Sequence, residues 1–82
     1  VHGRVQGVGF RYSAVRAARK MGLTGWVRNN YDGTVESIAE GESPAIEKFG
    51  AWLRKGPLGA RVTRVDKTEM PYSGVYRDFV IE

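Results

Sequence analysis

The chain has 82 residues, no cysteine, and 13 Lys and Arg against nine Asp and Glu, for a net charge of +4. That length makes one domain, residues 1–82, burying only about 60% of its unfolded surface, and the missing cysteines exclude a disulfide framework or a thiolate metal site. No apolar run approaches the roughly 18–20 residues of a membrane span and no signal segment opens the chain, so a soluble cytoplasmic protein is expected.

The elements follow in chain order. Val1 to Val5 is short, β-branched at both ends and stops at Gln6-Gly7, which predicts a buried strand entering a turn. The strand-like sequence starts at Val1 itself, so the strand is expected to begin ahead of it. From Phe10 to Met21, Phe10, Ala14, Ala17, Ala18 and Met21 share one helical face, with Arg16, Arg19 and Lys20 largely opposite. Gly22 then supplies a stop, and the basic last turn suits the helix dipole.

Leu23 to Asn29 and Thr34 to Glu40 flank "NYDG" as a hairpin, in which Asp32-Gly33 accepts a tight connection. Ser43 as cap and Pro44 as first-turn residue open a second helix, with Ile46, Phe49 and Leu53 at helical spacing until Gly56-Pro57. Ala60 to Glu69 and Val75 to Ile81 are predicted strands, with "PYSG" as the turn between them. The order β, α, β, β, α, β plus a terminal strand predicts an α+β two-layer sandwich of ferredoxin-like type. Two helices would lie on one face of an antiparallel sheet. Fold does not fix function, so the site must be read separately.

Gly3, Gly7 and Gly9 lie between a strand and a helix, where backbone N–H groups and a helix N-terminus converge on an anion. Two familiar phosphate loops fail here. A Walker loop needs four residues between its glycines and then Gly-Lys-Ser/Thr, whereas three residues separate Gly3 from Gly7 and Val8 follows. A dinucleotide fingerprint lacks its third glycine. Arg11 is the distinguishing residue: in a helix's first turn a cation opposes the dipole, so a structural arginine gains nothing. An arginine that meets an anion already gripped by loop amides gains bidentate, charge-assisted bonds. On spacing alone an oxyanion site and a structural turn stand nearly even.

The segments "GRVQGVGFR", Gly3 to Arg11, and "GWVRNNYDGTV", Gly25 to Val35, resemble the acylphosphatase family, and the likeness extends over the whole chain to the "YRDF" of its last strand. The resemblance implies hydrolysis of the carboxyl-phosphate bond of small acyl phosphates, with no cofactor, metal or covalent intermediate. It places the phosphate cradle on the backbone of Gln6, Gly7, Val8, Gly9 and Phe10, the catalytic arginine at Arg11 and the water-positioning asparagine at Asn29. Thr34 matches a supporting threonine. Asn30 adjoins Asn29, and only the spacing from "GWV" selects between them.

This chemistry is compatible with so few side chains. Phosphoryl transfer needs positioning and charge stabilisation, and an acyl phosphate leaves as a carboxylate without a general acid. Asn29 cannot take a proton at neutral pH, but its carbonyl accepts from a water and fixes the line of attack. His2 stands alone, and the acids, Asp66 and Asp78 among them, show no metal-ligand grouping. Trp52 is expected to pack on the second helix and Trp26 to flank the hairpin. An RNA-binding sheet would need aromatic stacking positions, and "GTVESIAEG" has none. The basic charge is spread as a solvated surface, so the expected partners are a small acyl phosphate and product phosphate. No nucleic-acid or membrane partner is expected, and a monomer is. The alternative is a silent or regulatory phosphate-binding domain of the same fold.

Overall fold

The structure, a computed structural model, describes residues 1–82. Its elements are β1 (His2–Arg4), α1 (Phe10–Lys20), β2 (Thr24–Asn29), β3 (Val35–Glu40), α2 (Ser43–Lys55), β4 (Arg61–Arg64) and β5 (Phe79–Ile81). β2 and β3 pair antiparallel from Thr24–Glu40 to Asn29–Val35, β1 pairs antiparallel with β4, and β5 lies parallel to β2. The sheet is therefore the expected antiparallel one with a parallel strand added at its edge.

The β1–β4 and β3–β2–β5 ladders are joined by one residue pair. Val1 and Val35 each donate an N–H to the other's carbonyl, at 2.6 and 3.0 Å. Such a reciprocal exchange is antiparallel pairing and sets the strand order as β4-β1-β3-β2-β5. Past this pair, the backbone groups of Ser37 and Ala39 share the orientation of Val35. They face a groove of about 320 Å³ whose other walls are the start of α2 and residues 67–72.

Both helices cover one face. Phe10, Ala14, Val15 and Ala18 of α1 and Phe49 and Leu53 of α2 bury against Val5, Leu23, Val27, Val35 and Phe79. The aromatic rings form a chain through the core: Phe10 with Trp52 at 5.5 Å, Trp52 stacked on Phe49 at 6.3 Å, and Phe49 edge-on to Phe79 at 5.4 Å. Trp52 is thus the packing residue its spacing predicts, while Trp26 lies under the Arg28 guanidinium at 4.7 Å. Val15 belongs to the buried face of α1 although the predicted apolar stripe omits it; a helix advances about 100° per residue, which puts it beside Ala18.

β1 to β3 and α1 match expectation to within a residue at each end, and the boundaries of α2, β4 and β5 differ in ways that have a physical reason. The N-cap of α2 is Glu42, not Ser43, and no side chain caps it; the extended backbone of Glu42 followed by Ser43-Pro44 starts the helix one residue earlier. The strand expected over Ala60–Glu69 ends at Arg64, and the one expected over Val75–Ile81 begins at Phe79. Between them Val75 is 68% exposed and "PYSG" forms no turn. Glu40 explains the irregular path: its Oε2 accepts from the N–H and hydroxyl of Ser73, at 2.8 and 2.7 Å, and its Oε1 from Gly74 N–H. These bonds, led by the Ser73 hydroxyl, hold the Glu40 carboxyl below the usual carboxylate range.

Candidate active site

The loop from Gln6 to Gly9 leaves β1 and enters α1 at the end of the sheet that also carries the 30–34 hairpin turn. Gly7 and Gly9 both take left-handed backbone, at φ 75° and 72°, and Gly9 is the N-cap of α1. Only glycine adopts this without strain, and left-handed residues on both sides of Val8 suit a loop that gathers its N–H groups. The Gly9 carbonyl accepts from Ser13, closing the first helical turn. The N–H groups of Gln6 through Tyr12 make no hydrogen bond within the chain, α1 has no side-chain cap, and its first turn has no acidic residue. These donors at a helix N-terminus are what an oxyanion requires.

Arg11 lies about 100° round the helix from Phe10, inside the arc of buried Ala14, Ala18 and Val15. Its side chain therefore starts toward the sheet, and the half-buried residue pairs with no carboxylate. Asn29 ends β2 and has the parity of buried Gly25 and Val27, so it too faces the helix layer. Its Oδ1 is buried and has no hydrogen-bond partner. A buried polar atom of this kind is rare in a folded protein and calls for a ligand or a water.

Asn30 is different in kind. Its Nδ2 donates to Thr34 Oγ1 at 3.1 Å, its N–H to Thr34 O, and its carbonyl accepts from Gly33. The two asparagines thus differ in their bonding: Asn30 builds the turn, and Asn29 keeps a free acceptor. Thr34 completes the turn, its hydroxyl donating to Asp32 Oδ1 at 2.6 Å and its N–H to the same oxygen at 3.0 Å. The hydroxyl bond, first among several, holds the Asp32 carboxyl below its ordinary value.

Gln6 contributes something the sequence reading does not anticipate. Its Nε2 donates to Asn30 O at 2.8 Å and to Thr34 O at 2.9 Å, fastening the glycine loop to the hairpin next to Asn29. No local pattern signals this, because the partners lie 24 and 28 residues away. His2 lies elsewhere, in a surface cluster with Asp66 at 3.0 Å and Arg64 at 3.2 Å. Two surface concavities lie away from the loop, one beside β3 and the other among Arg16, Arg19, Lys20, Met21 and Trp52. Backbone donors at an exposed helix start can hold an anion without a deep cavity.

The comparisons with known proteins agree with one another. A family model described as Acylphosphatase matches residues 1–81. The chain is 51% identical over 81 residues to an acylphosphatase of Methylococcus capsulatus, covering 99% of this chain and 88% of that one. The crystal structure of an acylphosphatase from Bacillus subtilis superposes with a TM-score of 0.96 at 41% identity, covering all of this chain and 91% of that chain. The fold also matches Thermococcus kodakarensis HypF with a TM-score of 0.85 at 38% identity, there covering 11% of the longer chain. Matched along nearly its whole length in sequence and in fold, the chain belongs to the acylphosphatase family, and its reaction is the hydrolysis of an acyl phosphate to a carboxylate and inorganic phosphate.

Proposed function

We propose that the backbone N–H groups of Gln6, Gly7, Val8, Gly9 and Phe10, together with the Arg11 guanidinium, hold the phosphoryl group, and that Asn29 orients the attacking water. The observation that carries this is the buried, unpartnered Oδ1 of Asn29 on the same layer as Arg11. The water donates one hydrogen to that oxygen, which fixes its lone pair toward phosphorus. Its oxygen then bonds to phosphorus as the phosphorus–carboxylate bond breaks. The carboxylate leaves without protonation, and the water's proton passes to the phosphoryl oxygens. Arg11 and the loop amides meet the charge spread over the equatorial oxygens. Thr34 and Gln6 support the site by holding the turn and the loop together.

We read residues 1–82 as one working domain, monomeric and cytoplasmic, acting on a small acyl phosphate with no nucleic-acid or membrane partner. No helix is long and apolar enough to cross a membrane, and the basic side chains are dispersed among acids.

Benzoyl phosphate hydrolysis in the presence of a chelator tests the assignment. Arg11→Lys should lose on the order of 10³-fold in kcat/KM, because a point charge cannot replace the planar fork. Asn29→Ala should lose about 10²-fold in kcat while inhibition by inorganic phosphate stays unchanged, since the lost contact is to water and not to the anion. Near wild-type turnover by a folded Arg11→Lys protein, or weakened phosphate inhibition with turnover intact in Asn29→Ala, would overturn these roles.

A further inference from the structure

We infer that the free edge of β5 is a latent docking surface for a second copy of this chain, and that Arg19 and Asp78 hold it closed. The inference rests on the reading of the chain as a monomer and supplies the device that keeps it one.

β5 ends the strand order, so one of its sides has no strand beside it. The side toward β2 uses alternate residues: Asp78 O accepts from Gly25 N–H and Glu82 N–H donates to Val27 O, both at 2.9 Å. With a period of two, the N–H and C=O of Phe79 and Ile81 face outward. The three residues of β5 are all apolar, and Val80 and Ile81 are 40% and 42% exposed. An apolar edge of this kind is a template for another strand, and proteins block such edges with charged side chains, prolines or bulges. β4, the opposite edge, carries an arginine at each end. β5 has no charge of its own.

The charge reaches it from α1 and from the residue before the strand. Arg19 Nε donates to Phe79 O at 3.1 Å, Arg19 Nη2 donates to Asp78 Oδ2 at 3.1 Å, and Phe79 N–H donates to Asp78 Oδ1 at 2.8 Å. These bonds close a ring over Phe79 and occupy both of its outward groups, the ones an incoming strand would take. An ion pair whose side chains are 53% and 58% exposed adds little to stability, so its effect lies in where it stands. Two copies related by a two-fold axis at Val80 would set Phe79 of each opposite Ile81 of the other, as antiparallel pairs that exchange N–H···O bonds. With Phe79 taken, neither pairing can form, and no ladder remains.

Sedimentation velocity over a range of protein concentrations tests this, with benzoyl phosphate hydrolysis and urea unfolding as controls on the fold. Arg19→Met keeps the aliphatic stem and removes the donors, and Asp78→Ala removes the acceptor. Each should lower the dissociation constant of a dimer at least about tenfold, the scale of one hydrogen bond to a charged group, and leave hydrolysis per chain unchanged. In the associating variants the Ile81 amide should become protected from hydrogen exchange as concentration rises. Adding Ile81→Pro to Arg19→Met should restore the monomer, because it removes an outward N–H that β2 does not use. Arg28→Met, which breaks the exposed Arg28–Glu36 pair elsewhere on the sheet, should behave as wild type. Folded Arg19→Met and Asp78→Ala proteins that associate no more tightly than wild type overturn the guard and leave the monomer reading standing. So does association that Ile81→Pro leaves intact or that Arg28→Met reproduces. A wild-type protein that is already a dimer at low concentration overturns the monomer reading and the guard with it.

Discussion

Gln6 directs both hydrogens of its amide to carbonyls of the hairpin turn, Asn30 O and Thr34 O, and Asn29 adjoins the first of them. Replacing Gln6 with alanine frees the loop from the turn and leaves two partly buried carbonyls with one donor fewer each. Gln6→Ala should cost about 1–2 kcal/mol in denaturant unfolding and weaken phosphate inhibition several-fold; unchanged phosphate inhibition despite that loss of stability would mean that the glycines alone set the loop. At this scale the sequence was legible where chemistry is local. Gly7, Gly9 and Arg11 stand out by type and spacing, although spacing alone left an anion loop and a structural turn nearly even. The choice between Asn29 and Asn30 depends on which amide the turn consumes, and the Gln6 clamp on distant partners.

At the scale of elements, the helices and the hairpin were legible because period and punctuation agree, as in Pro44 at the start of α2 and Asp32-Gly33 in the turn. Residues 65–78 were not. Val75 reads as a strand residue by pattern, but the path there is set by the Glu40 carboxylate gripping Ser73 and Gly74 from 33 and 34 residues away. That grip carries a pH signature. Because bonding lowers the folded-state pKa of Glu40, its contribution to stability is present above the ordinary carboxylate value and is lost as pH falls through the lowered one. Glu40→Gln should therefore be less stable than wild type at neutral pH, and the gap should close between about pH 5 and about pH 3. Urea unfolding at several pH values reads this, and a gap that persists at low pH would show that the carboxylate charge does not hold the segment.

The whole molecule rests on a small core in which four aromatic rings, from Phe10 through Trp52 and Phe49 to Phe79, run across the helix layer onto the sheet. Phe79 is fully buried at the far end of that chain. Phe79→Ala should cost about 3–5 kcal/mol, a large share of the roughly 5–15 kcal/mol of a typical domain, and lower the melting temperature by more than about 10 °C. A loss below about 1 kcal/mol in a thermal melt would mean that the core closes over the gap. The βαββαβ order was legible because each connection is short and each period clear. The single pair joining the two ladders was not, since strand neighbours far apart in sequence leave no local trace.

That single pair also bears on the cooperativity of the fold. The glycine loop is the covalent link from β1, in one ladder, to α1, which packs on the other, and the Gln6 clamp crosses the same boundary. A phosphoryl group held by the amides of this loop would bridge the same junction. Opening of the junction and release of phosphate would then be linked equilibria, and the product anion would act as a removable fastener between the two halves.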